Sequence, residues 1–148
     1  MRSIQLLTVF GLCAVSTLAL AQTTFGEIAQ QGKRLSSAEV REKVVGRSLK
    51  GPGPNGRGST IEVKPDGKYT GSLERSSRIG RANNLGVFGD WTLAENGQFC
   101  IASGAASGDA GKACGFFYVL GDKYFVVAAK EGQEPQAESV VLPREIGD

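Results

Sequence analysis

The chain contains no histidine. That removes the Ser/His/Asp and Cys/His nucleophile systems, the commonest general base, and the usual zinc ligand sets. An excess of one charge is missing too: 17 basic residues face 15 acidic ones, a formal net charge of +2. Nothing global draws such a chain to nucleic acid or to an anionic membrane. There is no Asn-x-Ser/Thr sequon, hence no sign of glycosylation. Long apolar runs are confined to residues 4–20, where Gln5, Thr8, Ser16 and Thr17 interrupt the stretch. A membrane span needs about 20 apolar residues, so this run is too short for one.

What the first residues do have is Arg2, the apolar stretch, and Ala19-Leu20-Ala21 before Gln22. These are the three regions of a secretory signal peptide over residues 1–21, with cleavage expected after Ala21 and no stable membrane insertion afterwards. Cys13 follows Leu12, where lipidation would require a small side chain, so it leaves with the leader. Cys100 and Cys114 remain, and an even pair in an exported chain is expected to form a disulfide. They are too far apart for a Cys-x-x-Cys redox motif, so the bridge reads as a structural staple in the bacterial periplasm or outside the cell. The 127 residues after the leader make one domain, with 22–34 as a flexible lead-in and 35–148 as the folded part.

One helix is legible, over residues 37–45. Ser36 and Glu39 have capping-box spacing, Leu35 and Val40 that of a hydrophobic staple, and Gly46 is placed to end the helix. The rest reads as strand and turn. Period-2 alternation on both sides of Pro65-Asp66-Gly67 predicts a hairpin pairing Val63 with Tyr69. At Glu95-Asn96-Gly97 the same device puts Trp91, Leu93, Phe99 and Ile101 on one face. Gly121-Asp122 is a two-residue turn of the Gly-X type, and residues 139–142 form a last strand that Pro143 stops. Cys100 and Cys114 stand equidistant from Ser107 and face each other across a hairpin. Since every turn joins neighbours, the expected fold is all-β: an up-and-down antiparallel barrel of about seven or eight strands with one short N-terminal helix. In this register Cys100, Cys114, Phe116 and Tyr118 point outward beside Phe125 and Val127. Apolar residues outside a barrel need a cover, and the 37–45 helix is the expected one.

Chemistry-bearing motifs are few. Gly51-Pro52-Gly53-Pro54-Asn55-Gly56 spells G-x-G-x-x-G, yet a strand follows where a phosphate-binding helix should open, and two prolines remove donors. Glu62 and Glu74 can be imagined approaching across a hairpin, and Asp90 precedes Trp91, but acids on alternate strand positions usually face solvent. No catalytic residue, metal site or cofactor is therefore expected, and the chain is read as a non-enzyme. Arg75, Arg78 and Arg81 recur at every third position in the 74–85 loop, a basic surface suited to a carboxylate- or phosphate-bearing partner.

The order and spacing of Leu35-Ser36-Ser37-Ala38-Glu39, the Pro-Asp-Gly-Lys-Tyr hairpin, Gly89-Asp90-Trp91, Phe99-Cys100, and Cys114 through Tyr118 resemble a group of small secreted proteobacterial proteins of unknown function with a lipocalin-like barrel. The likeness covers residues 35–142 and implies no catalytic residues. A looser resemblance connects the chain with the periplasmic lysozyme inhibitors. The expected role is a periplasmic or secreted binding protein that holds a small apolar or amphipathic ligand in the barrel mouth, near Trp91, Phe99, Phe117 and Tyr124. The alternative is an interaction or inhibitor module that meets an envelope protein through Arg75, Arg78 and Arg81.

Overall fold

The computed structural model describes residues 23–53, 56–75, 83–103 and 111–148. The expected signal peptide, Arg78, Arg81 and the Ser107 centre of the loop between the cysteines lie outside the described residues. In chain order the elements are α1 (Phe25–Gln31), β1 (Lys33–Arg34), α2 (Ser37–Val44), β2 (Ser48–Pro52), β3 (Gly58–Val63), β4 (Lys68–Arg75), β5 (Asn83–Leu93), β6 (Gln98–Ser103), β7 (Lys112–Leu120), β8 (Lys123–Ala129) and β9 (Val141–Gly147). From β2 to β9 each strand pairs antiparallel with the next, and β9 returns to β2. The result is a closed eight-stranded up-and-down barrel with no free edge among these strands. β1 adds a short rung to β7, pairing Lys33 with Val119 and Arg34 with Tyr118.

Turn chemistry sets the registers as expected. Val63 pairs with Tyr69, and Leu93 with Phe99. Gly97 takes φ +85°, which a three-residue loop needs at its left-handed position. At the β7–β8 turn only Gly121 has positive φ, as a type II′ hairpin requires. Closure also depends on glycines facing inward. A Cβ on Gly71 would come within 2.2 Å of the Thr60 carbonyl oxygen, and one on Gly89 within 1.9 Å of that of Ala102. Bare backbone there lets neighbouring strands bend past each other.

The interior carries Trp91, Phe99 and Phe117 with Leu49, Val63 and Tyr69. Trp91 stacks on Phe99 at 5.7 Å, and Phe99 meets Phe117 edge-on at 5.6 Å. Val40 and Val44 of α2 belong to the same core. The helix begins against the β5–β6 turn, where a Cβ on Gly97 would meet the Leu35 carbonyl at 2.9 Å. It finishes against the end of β3, where the Gly46 N–H donates to the Val63 carbonyl. α2 therefore stoppers one end of the barrel, and the expectation that it covers the outer face is corrected.

The outer cover is α1, in the segment read as a flexible lead-in. Thr24 caps it by accepting from the Glu27 N–H, and Ile28 is fully buried against Phe116, Tyr118, Phe125 and Val127. Phe25 meets Tyr118 edge-on. Arg34 lays its guanidinium 3.6 Å above the Phe116 ring and reaches Glu134 and the Asn96 carbonyl. Gln98, 3% exposed, donates to the carbonyls of Lys130 and Gln133 and accepts from the Gly132 N–H, so the β8–β9 connection folds back over the same face.

β9 also runs past Pro143 instead of stopping there. The Val140 carbonyl accepts from Ala128 on β8, so alternation turns even-numbered backbone groups toward β8. The donor missing at Pro143 thus falls on the β2 side, beyond Glu145, where the β2 pairing ends.

Candidate functional site

Because β9 continues through Pro143, the alternation that turns Ile146 into the core turns Arg144 the same way. Its guanidinium crosses β2 at Gly51, where a Cβ would stand 2.8 Å from Nη1. A side chain at position 51 would occupy the space the guanidinium uses. Nη1 donates to the Pro52 carbonyl at 2.7 Å and to Ser59 Oγ at 3.5 Å, while the Ser59 hydroxyl donates to the Gly51 carbonyl at 2.9 Å. Half-burial pushes the Arg144 pKa down, with loss of hydration as the cause. Among the described residues no carboxylate lies within ion-pair distance of it.

Arg144 borders a cavity of about 600 Å³ along β9. Tyr124, Ile146, Pro52 and Pro143 supply apolar wall. The charged lining is Lys50, Lys123 and Arg144 against Asp122 and Glu145, a local excess of one positive charge. A half-buried cation without an anion is costly, since its lost hydration is not replaced by an opposite charge.

The four aromatic residues named from the sequence divide between core and cavity. Trp91 and Phe99 are 8% exposed and Phe117 is 1% exposed. All three pack on one another near the stoppered end, with Trp91 Nε1 donating to the Lys64 carbonyl at 2.8 Å. Tyr124 pairs with Arg144 across β8 and β9 and lines the cavity. Of the basic loop, Arg75 ends β4 opposite Asn83.

The carboxylates considered for catalysis do not meet. Glu62 stands opposite Thr70 and accepts from its hydroxyl, whereas Glu74 accepts from the Gly58 N–H. These rungs are four positions apart, about 13 Å along a strand. Asp90 is exposed and paired with Lys68. Cys100 and Cys114 face each other across β6 and β7 and form the disulfide. Among the described residues no three His, Cys, Asp or Glu side chains cluster as metal ligands.

Arg144 was missed because a strand ended at Pro143 leaves Arg144 on no face. The signal was available in Leu142, Arg144 and Ile146, which alternate once the strand continues. Set against known proteins, the chain matches no family model, no curated protein and no solved structure.

Proposed function

We propose that this chain works after export, in the periplasm or outside the cell, as a non-catalytic binding protein. It takes a small amphipathic ligand into the cleft along β9 rather than into the aromatic core. The observation that carries the reading is Arg144: a half-buried guanidinium with no carboxylate partner among the described residues, on the wall of a cavity of about 600 Å³. A cavity of a few hundred Å³ with apolar walls and few polar groups is the usual form of a small-molecule site. Export is supported by the N-terminal pattern and the Cys100–Cys114 bridge. Among the described residues no helix is long and apolar enough to cross a membrane.

The test is an amide-resolved NMR screen with a mixture of small amphipathic compounds. The reading expects shifts concentrated at Gly51, Tyr124 and Ile146. Shifts centred on Trp91 and Phe117 would move the site into the core. No shift at millimolar concentration, combined with capture of an envelope protein that depends on Arg75, Arg78 and Arg81, would replace the reading with an interaction module.

A further inference from the structure

We infer that the ligand of this cleft is a monocarboxylate, held side-on by the Nε–H and Nη2–H groups of Arg144. The inference rests on the cleft being the binding site and specifies what enters it. All protein bonds of the guanidinium among the described residues pass through Nη1, to Pro52 and Ser59. Among the described residues no buried side-chain nitrogen or oxygen lacks a partner, so Nε–H and Nη2–H open onto solvent-accessible space. These two hydrogens are parallel on one edge of the planar group, at the spacing of the two oxygens of a carboxylate. The Nη1 bonds hold the plane, so little side-chain freedom remains to be lost when an anion docks.

Charge decides between a carboxylate and a more highly charged oxyanion. The cavity lining carries one net positive charge, and Asp122 and Glu145 stand in the same wall. A single carboxylate balances that excess. A dianionic phosphate exceeds it and meets the two acids. Tyr124, Ile146, Pro52 and Pro143 then provide the surface for an apolar body.

The test compares octanoate, octan-1-ol and inorganic phosphate by calorimetry, while following the Arg144 Nε–H resonance. Octanoate should bind about tenfold or more tightly than octan-1-ol, the effect expected of a charge-assisted fork. It should also shift the Nε–H resonance. Arg144→Gln should bring the two affinities together, with octanoate losing far more than octan-1-ol. Arg144→Lys, which keeps the charge and loses the fork, should lose most of the preference. The wild-type comparison decides the matter even where a variant folds poorly. Equal wild-type affinities, or a preference that survives Arg144→Gln, would overturn the carboxylate assignment and leave the cleft as the site. A resonance moved by phosphate and not by octanoate would also overturn it. If neither octanoate nor octan-1-ol binds, the cleft reading fails and the inference fails with it.

Discussion

Replacing Ile28 by alanine tests whether α1 is part of the fold. Ile28 is fully buried against Phe116, Tyr118, Phe125 and Val127, and the change removes three buried carbons. At about 0.8 kcal/mol for each, the transfer loss is about 2.4 kcal/mol. A cavity adds to this, but α1 is only seven residues long and can settle toward the sheet, so the addition is small. The expected loss is about 3 kcal/mol, a large share of the stability of a domain this size. For a chain of this length the melting temperature should fall by about 12 °C. Urea unfolding followed by circular dichroism measures the first quantity and a thermal scan the second. Gln30→Ala, exposed on the same helix, is the control and should change stability by less than about 0.5 kcal/mol. Should α1 undock before the barrel unfolds, the uncovered Phe116 and Phe125 would bind a hydrophobic dye under native conditions. An Ile28→Ala loss below about 0.5 kcal/mol without dye binding would refute the assignment of α1 as the cover.

Four further outcomes are expected. Removing the disulfide by the double change Cys100→Ser and Cys114→Ser frees a loop with a sequence separation of 14 and should cost about 3 kcal/mol in denaturant unfolding; an unchanged midpoint would show that the bridge does not restrict the unfolded chain. Gly89→Ala sets a methyl against the Ala102 carbonyl and should cost about 3 kcal/mol or more, whereas Gly86→Ala on the same strand meets nothing within 4 Å and should be near neutral; equal effects would deny the close strand approach. Gln98→Leu leaves the Gly132 N–H without its partner and removes one of the two donors to the Lys130 carbonyl, which keeps the Gln133 N–H, so the Gly132 amide should exchange faster and stability should drop by about 1 to 3 kcal/mol; unchanged exchange would show that the loop is held elsewhere. The Lys33 ammonium and then the Ser36 N–H hold the Glu39 carboxyl at about 2, below its ordinary 4.5. A lowered folded value means that this contribution is complete above pH 4.5 and is lost as pH falls toward 2, so an NMR titration of Glu39 with a midpoint near 4.5 would contradict the capping box.

The hairpins were legible because local chemistry and alternation point the same way. Only a three-residue loop with Gly97 left-handed keeps Trp91, Leu93, Phe99 and Ile101 together, and that is the register observed. The capping box at Ser36 and Glu39 was equally explicit. The first helix had a weaker signal: Thr24-Phe25-Gly26-Glu27 has capping-box spacing, but seven residues with only two large apolar side chains, Phe25 and Ile28, give almost no periodicity. What fixes α1 is the apolar outer face of β7 and β8, a tertiary demand invisible within residues 25–31. The need for a cover was readable from Phe116, Tyr118 and Phe125. Which segment supplied it depended on where the chain enters the barrel, since α2 runs directly into β2 and is carried across the barrel end.

The same dependence governs the candidate site. Trp91, Phe99 and Phe117 look like ligand-binding groups in a sequence because large aromatic residues serve both cores and pockets. In a narrow eight-stranded barrel stoppered by Val40 and Val44, they fill the interior themselves. Arg144 looks like a surface residue because Pro143 before it argues against a strand. Its inward direction follows only when the missing proline donor is seen to fall where β9 has no partner to lose. Gly51 completes the arrangement, since the guanidinium passes over a position with no side chain to reach Ser59 and Pro52.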